Sequence, residues 1–182
     1  RELIEYDAQF AENDEIIEDE TNDNYEEKRK LLEQTKIVKQ TWAILEIYQK
    51  IESEKLQLSP EYQRRDIWDK KKKTAFIESL FMGIIVPPIY VVEIPGEDIL
   101  DGTTYEVVDG KQRLSTINGF INNELELNPK ALEYYRDWFG GKKFGNIRGE
   151  YSELTNEMLS SVLDIYVITA NSPEFTKYDI FS

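Results

Sequence analysis

The segment 104–121 constrains the fold more than any other part of this sequence. "TYEVV" is rich in β-branched and aromatic residues and predicts a strand, while "KQRLSTINGFI" has apolar residues at helical spacing and predicts a helix. Only Asp109 and Gly110 separate the two, so the strand must turn directly into the helix. The helix then begins with Lys111 and Arg113, although a helix N-terminus already carries partial positive charge. An anion bound at this turn would be attracted by the helix terminus and by both cations, and it would offset the repulsion between them.

The surrounding pattern predicts a mixed α+β domain. "PPIYVVEI" is expected to be a strand buried on both faces that pairs with residues 104–108 as a hairpin. "LQLSP" predicts a short strand, and "KKKKTAFIESLFMG" predicts a helix with Asp69 as N-cap and Gly83 as its stop. The remaining elements are a helix over "TWAILEIYQKIESEK", a short strand "ELELN", a helix near residues 129–137, a glycine-rich turn "FGGKKFG", a helix near 155–163 and a strand "DIYVITA".

Charge divides the chain into two parts. Residues 1–36 are acidic and Asn-rich, which predicts a flexible or loosely helical arm; alternatively, the arm mimics an anion and covers a basic site. Residues 37–182 read as one globular domain. Because the chain starts at Arg1 and stops at "YDIFS" without a polar tail, we expect a fragment whose domain is truncated at its C-terminal end. No apolar run approaches the roughly 20 residues that span a bilayer.

The absence of His and Cys limits the kinds of catalytic and metal-binding site that this chain can form. The chain contains no His and no Cys, which excludes Ser-His-Asp triads, zinc sites built on these residues and His-dependent nuclease motifs. Catalysis must therefore rest on Asp, Glu, Lys, Arg, Tyr or a metal bound through oxygen. A net charge of −14 makes wide binding to a nucleic-acid backbone unfavourable but allows a local basic site. The lack of Cys is compatible with the cytoplasm, which is the predicted location.

Two strand-to-helix junctions share an unusual composition. Each contains a Gln-Arg pair with further cations near the start of a helix: Gln63, Arg64, Arg65 and residues 70–73 in the first, and Lys111, Gln112 and Arg113 in the second. Such cations cost about a few tenths of a kcal/mol each unless an anion is bound nearby. With an anion present, backbone N–H groups, the helix dipole and the side chains all point at the same oxygens. The repetition predicts an anion site, where Gly110 lets a phosphate approach the main chain closely.

Structural explanations for these residues stay open. Lysines 70–73 also fit a solvated helix face, and Asp109 fits an N-cap as well as a Mg²⁺ ligand. Gln112 and Arg113 could tie the helix to the sheet, and Ser115 fits an ordinary helix surface. No P-loop, dinucleotide fingerprint, HExxH, CxxC or GxSxG motif is present.

The two junctions together resemble the N-terminal domain of GmrSD-type modification-dependent restriction proteins. That family carries a "P-x-[YF]-Q-R-x-x-x-W" segment and a "D-G-Q-Q-R-L" segment. The first is matched by Pro60, Tyr62, Gln63, Arg64 and Trp68, and the second by Asp109, Gly110, Gln112, Arg113 and Leu114. The likeness covers residues 37–127 well and the rest loosely.

This resemblance implies a ParB/sulfiredoxin-like fold and a domain that binds, and often hydrolyses, a nucleoside triphosphate with Mg²⁺. It implies a bacterial setting of defence against phage or modified DNA. Cleavage in such proteins resides in a separate C-terminal nuclease domain with a His-based motif, and this chain has no His. The family also continues beyond "IFS" into an Arg-Leu-Asn stretch. DNA is therefore expected to be contacted through other domains.

The resemblance also assigns roles to single residues. It implies Arg64 and Arg113 as phosphate clamps, Gln63 and Gln112 as groups that orient base, ribose or water, and Asp109 as the Mg²⁺ ligand or the activator of water. The predicted nucleotide-binding set is completed by Tyr62, Gly110, Lys111 and Ser115. Lys111 replaces the usual first Gln, so phosphate binding should persist, whereas turnover falls if that Gln positions the attacking water.

Two other functions compete with this one. The first is a non-catalytic DNA-recognition module, in which Arg64, Arg65 and the lysines Lys70 to Lys73 contact phosphates and affinity depends steeply on salt. The second is a structural or partner-binding domain that uses the acidic arm, residues 1–36, as its contact. Self-association into a homo-oligomer is compatible with all three.

Overall fold

A five-stranded mixed sheet forms the centre of the molecule. The structure, a computed structural model, describes residues 22–34, 36–58 and 67–169. Its strands are β1 (Ile37–Ala43), β2 (Leu56–Gln57), β3 (Ile89–Pro95), β4 (Thr103–Asp109) and β5 (Val162–Ile168), in the order β1-β5-β3-β4-β2. The β1/β5 and β3/β4 pairs are antiparallel, whereas β3/β5 and β2/β4 are parallel.

Helices flank this sheet. They are α1 (Asn22–Gln34), α2 (Ile44–Glu52), α3 (Lys70–Met82), α4 (Lys111–Ile121), α5 (Arg136–Phe139), α6 (Phe144–Glu150) and α7 (Ser152–Ser160), with 3-10 turns at Ile99–Asp101 and Pro129–Ala131. The predicted α+β class is confirmed. Helix α1 lies within the predicted arm, while residues 1–21 lie outside the described part. Within that described part, no helix has the length and apolarity that crossing a membrane requires.

The main core lies between one face of the sheet and helices α2, α3, α4 and α7. Strand β5 shows how the faces separate, because alternate residues point to opposite sides. Leu163, Ile165 and Val167 belong to the main core. Ile168 instead joins Val92 and Val108 in a second buried cluster.

Local signals predicted the elements next to the candidate site well. Asp69 caps α3 by accepting a hydrogen bond from the Lys72 N–H at 2.8 Å. Gly83 ends the same helix with φ +71 and donates its N–H to the Leu80 carbonyl. The antiparallel β3/β4 hairpin and helix α4 are also present as predicted.

Several sequence-based assignments differ from the structure in type or in boundary. The helix predicted over "TWAILEIYQKIESEK" starts at Ile44, because Trp42 and its neighbours pair with β5. "ELELN" is not a strand; its Leu127 N–H bonds to the Lys142 carbonyl outside any ladder. The helix expected at residues 129–137 is a 3-10 turn followed by the short α5.

Glu78 explains the interruption at residues 129–137. Its carboxylate, which is 4% exposed, accepts backbone N–H groups from Glu133, Tyr134 and Tyr135 at 3.0–3.1 Å. Those N–H groups are consequently engaged by a side chain of α3 rather than by a helical turn. The helix predicted near residues 155–163 similarly ends at Ser160, since Leu163 lies in β5.

Candidate functional site

The turn between β4 and α4 depends on a glycine. Gly110 is the N-cap of α4 with φ +114 and ψ 13, a conformation that L side chains rarely adopt. A Cβ at this position would overlap Ile89 Cδ1 and lie 3.2 Å from Ile89 Cγ2 and 3.4 Å from Arg113 Nη2. Backbone conformation and packing are therefore sufficient to require glycine here. The N-cap consequently contributes no side-chain acceptor to the start of the helix.

Arg113 is fully buried at the start of α4, with 0% exposure. Its guanidinium donates to the carbonyl oxygens of Pro87 and Pro88, and Nη2 lies 4.0 Å from Asp109 Oδ2. These contacts fix the helix to the segment that leads into β3, and they offset the cost of a cation near the helix N-terminus. Arg113 thus makes the tie between helix and sheet that its sequence position allowed. A direct contact of this guanidinium with phosphate stays a prediction.

Gln112 joins the two junctions recognised in the sequence. It is 7% exposed, and its side-chain oxygen accepts the backbone N–H of Trp68 at 3.1 Å. Trp68 is buried, and its ring packs edge-to-face on Phe76 with centroids 5.4 Å apart. The C-terminal end of one motif is therefore bonded directly to the first turn of the helix that carries the other.

Sheet topology brings the same two regions together. Strands β2 and β4 are parallel neighbours, with Leu56 opposite Tyr105. Because parallel strands end at the same edge of a sheet, the chain leaving β2 and the chain leaving β4 emerge side by side. Crevices at the carboxyl ends of parallel strands are common ligand sites in open sheets.

Four predicted residues of the first junction lie outside the described part of the chain: Tyr62, Gln63, Arg64 and Arg65. The structure describes this junction only up to Leu58 and again from Ile67. Their proposed contacts with a nucleotide or with DNA stay predictions.

Lys111 differs from Arg113 in its surroundings. Its side chain is partly exposed, and no described carboxylate forms an ion pair with it. Ser115, one turn along the helix, is also partly exposed and donates its hydroxyl to the Gln112 carbonyl at 3.2 Å. Of the two cations in the first turn of α4, Lys111 is the one that solvent and ligands can reach.

Asp109 has a side chain with 14% exposure at the end of β4. Within the described ranges, no group of three or more His, Cys, Asp or Glu side chains could hold a metal ion. One carboxylate together with phosphate oxygens is a normal arrangement for Mg²⁺, which keeps most of its ligands as water and phosphate. Asp109 fits a metal that arrives with a polyphosphate, and it does not fit a site built from protein ligands alone.

The lysines at the start of α3 are partly engaged by the protein. Lys70 Nζ lies 3.4 Å from Glu126 Oε2, with both side chains about half exposed. Lys72 lies over the Trp68 ring at 5.1 Å from its centroid. Lys71 is exposed. This geometry agrees with a solvated helix face, and DNA contacts by Lys70 and Lys71 stay predictions.

Sequence reasoning did not identify Tyr90 and Tyr166 as neighbours of this site. Tyr90 pairs with Asp109 across β3 and β4, and with Tyr166 across β3 and β5. Burial raises the pKa of Tyr90 above its ordinary value, and the nearby Tyr166 and Asp109 raise it further. Only the registers of three strands reveal this arrangement, and no local sequence pattern encodes them.

Comparison with known families identifies one match. The model of the family described as the GmrSD restriction endonuclease, N-terminal domain, matches residues 44–180 of the 182-residue chain. No curated protein and no solved structure matches the chain. The family match contains both junctions and every element of the sheet except β1.

Proposed function

Since this chain belongs to the GmrSD restriction endonuclease N-terminal domain family and thus to a restriction or defence protein, we propose that it binds a nucleoside triphosphate where β4 turns into α4. Hydrolysis of that nucleotide would regulate a nuclease located in another domain. The observation that carries the proposal is the hydrogen bond between Trp68 and Gln112, because it joins the last residue of the first motif to the first turn of α4.

Electrostatics supports a polyphosphate at this position. Arg113 already has carbonyl partners and Asp109 close by. Lys111 is partly exposed beside the positive end of the 11-residue helix α4. A phosphate there would accept hydrogen bonds from the Lys111 ammonium group. It would also interact favourably with the positive end of the helix dipole. In this proposal Lys111 contacts the phosphates, and Arg113 positions the turn that presents it.

Mg²⁺ enters the proposal together with the nucleotide. Asp109 would supply one carboxylate oxygen, directly or through water, and the phosphates would supply further ligands. The metal would neutralise charge on the phosphates. The Arg113 guanidinium beside Asp109 Oδ2 holds the carboxylate in place at the end of β4.

Hydrolysis is assigned to Asp109 and Gln112 by position. Asp109 is the carboxylate at the turn, and its side chain is 14% exposed although its Oδ1 atom is buried. Gln112 would orient the ligand or water while its side-chain oxygen remains bonded to Trp68. A change at the phosphates would thereby reach α3, which begins two residues after Trp68. That connection is the proposed route from nucleotide state to the rest of a restriction protein.

Calorimetric titration tests nucleotide binding. ATP, GTP, CTP and UTP are titrated into the protein with and without Mg²⁺. Lys111→Ala should weaken binding of the preferred nucleotide by roughly 10- to 150-fold, because a hydrogen bond to a charged group contributes about 1.5–3 kcal/mol. Lys130→Ala, which removes an exposed lysine of the Pro129–Ala131 turn, serves as the control and should bind as the wild type does.

Absence of binding by any of the four nucleotides would refute the proposal. Equal affinities for Lys111→Ala and wild type would refute the assigned location. Hydrolysis is followed separately as released phosphate, which Asp109→Asn should abolish while nucleotide binding persists. Phosphate release by Asp109→Asn at the wild-type rate would remove Asp109 from the reaction.

A further inference from the structure

A row of four side-chain positions crosses the sheet and ends at Asp109. Lys39 of β1 is opposite Tyr166 of β5, Tyr166 is beside Tyr90 of β3, and Tyr90 is opposite Asp109 of β4. Residues paired in regular register share one face of a sheet, as Lys39, Tyr166 and Tyr90 do, and neighbouring strands lie about 4.8 Å apart. The register of β3 and β4 shifts between Tyr90 and Val91, and across this irregularity Asp109 lies close enough to Tyr90 to act on it electrostatically. The row therefore starts at the turn between β4 and α4, where phosphate is proposed to bind, and crosses three strand spacings. It has a carboxylate at one end, two phenols in the middle and an ammonium group at the other end.

The two phenol rings contact each other. Their centroids are 5.1 Å apart and their planes are inclined at 66°, an edge-to-face arrangement. Tyr90 also packs against the second apolar cluster of the sheet, which contains Val92 and Ile168. The rings are consequently held in place by the strands beneath them and by each other.

Exposure changes abruptly along this face. Val92 and Ile168, two residues further along the same strands, are 1% and 0% exposed. Tyr90 and Tyr166 are both only partly buried. This face of the sheet is thus buried at the apolar cluster and becomes accessible to solvent at the two tyrosines, next to Asp109.

We propose that Tyr90 and Tyr166 bind the nucleoside end of the ligand whose phosphates lie at the start of α4. This inference rests on the proposed function and extends it from a polyphosphate site to a nucleotide site with a defined direction. The phosphates would lie at Gly110 and Lys111, and the base and sugar would extend from Asp109 over β3 towards β5.

The chemistry of the two side chains fits a nucleoside. An aromatic ring offers a stacking surface to any base, because every base has a π-face. A tyrosine hydroxyl is protonated at neutral pH and can donate to a ribose or base acceptor. Lys39, at the far end of the row, forms an ion pair with Asp164, with Nζ 3.7 Å from Oδ1. The two accessible aromatic rings therefore lie between charged groups, Asp109 at one end of the row and Lys39 at the other.

The test compares a nucleotide with its phosphates alone. Wild type, Tyr90→Ala and Tyr166→Ala are titrated with the Mg²⁺ complexes of ATP, GTP, CTP and UTP, and separately with Mg²⁺-tripolyphosphate. Each alanine substitution should weaken nucleotide binding by about 5- to 150-fold, as expected for loss of one stacking partner. Tripolyphosphate affinity should stay unchanged. Tyr134→Ala, which removes a tyrosine that is 69% exposed elsewhere, is the control for loss of a surface ring.

Conservative variants guard against misfolding. Tyr90→Phe and Tyr166→Phe keep the rings and should retain most of the nucleotide affinity. If wild type binds nucleotide and both alanine variants bind it equally well, the inference is overturned while the proposed function stands. A parallel loss of nucleotide and tripolyphosphate affinity also overturns it, because the tyrosines would then support the fold rather than the nucleoside. If wild type binds neither ligand, the proposed function itself fails.

Discussion

Replacement of Gly110 by alanine separates two reasons for a glycine at the candidate site. The first is conformational, because φ is +114 and a left-handed conformation costs an L-residue about 1–2 kcal/mol. The second is steric, because the new methyl group would overlap Ile89 Cδ1 in a filled core. Overpacking of this kind typically costs about 1–3 kcal/mol. Gly110→Ala should therefore lower the free energy of unfolding by about 2–5 kcal/mol.

Two other glycines provide matched controls. Gly83 ends α3 with φ +71 and has no atom within 4 Å of an added Cβ, so Gly83→Ala should carry only the conformational cost of about 1–2 kcal/mol. Gly149 lies in α6 with open space at the Cβ position. Because alanine is the better helix former, Gly149→Ala should leave stability unchanged or raise it by up to about 1 kcal/mol.

Urea denaturation measures these differences, and thermal unfolding should agree with a fall of about 4–20 °C for Gly110→Ala. Ile89→Val removes the overlapping Cδ1 atom at a cost of about 0.5–1.5 kcal/mol on its own. When Gly110→Ala is combined with Ile89→Val, the alanine penalty at position 110 should shrink by about 1 kcal/mol or more. Equal penalties for Gly110→Ala and Gly83→Ala, or strict additivity with Ile89→Val, would refute the steric part of the reasoning.

Three further predictions concern polar groups and titration. Glu78→Ala should cost about 1.5–3 kcal/mol by equilibrium unfolding, because a buried carboxylate that accepts three backbone N–H groups is lost; Glu150→Ala, which breaks a surface ion pair, should cost at most about 1 kcal/mol. Gln112→Ala should cost about 1–3 kcal/mol and speed hydrogen exchange at the Trp68 amide, and unchanged exchange would contradict the 3.1 Å bond. The pKa of Tyr90 is raised in the folded state. Its contribution to the free energy of unfolding is therefore fully present below about pH 10, and it is lost as the pH rises through the pKa of the folded state. Tyr90→Phe should accordingly flatten part of the decline in unfolding free energy measured at alkaline pH.

Local sequence signals were enough for the elements that form the site. The β3/β4 hairpin, the Asp109-Gly110 turn and helix α4 follow one another in sequence, and each has its own pattern of strand, glycine or helix residues. The Asp69 cap and the Gly83 stop of α3 are likewise encoded within a few residues. Short-range physics determines these features, so the sequence alone predicted them.

Features set by distant partners were not predicted. The last three residues of β1, 41–43, are included in the predicted helix, because Ile44 and Ile47 have helical spacing and nothing nearby indicates that Trp42 pairs with Leu163. For Arg113 the sequence leaves a tie to the sheet open beside a ligand contact, because its carbonyl partners belong to residues 87 and 88, which only the fold brings to it. Arg113 is fully buried, and a contact of its guanidinium with phosphate stays a prediction.

The central claim is that phosphates bind at the first turn of α4. Titration of ¹⁵N-labelled protein with the Mg²⁺ complex of the preferred nucleotide, followed by amide chemical shifts, tests it most directly. The largest saturable shifts should fall on the backbone N–H groups of residues 110–113, with a smaller response at Trp68 through its bond to Gln112. Saturable shifts confined to other parts of the chain, with residues 110–113 unmoved, would contradict the account.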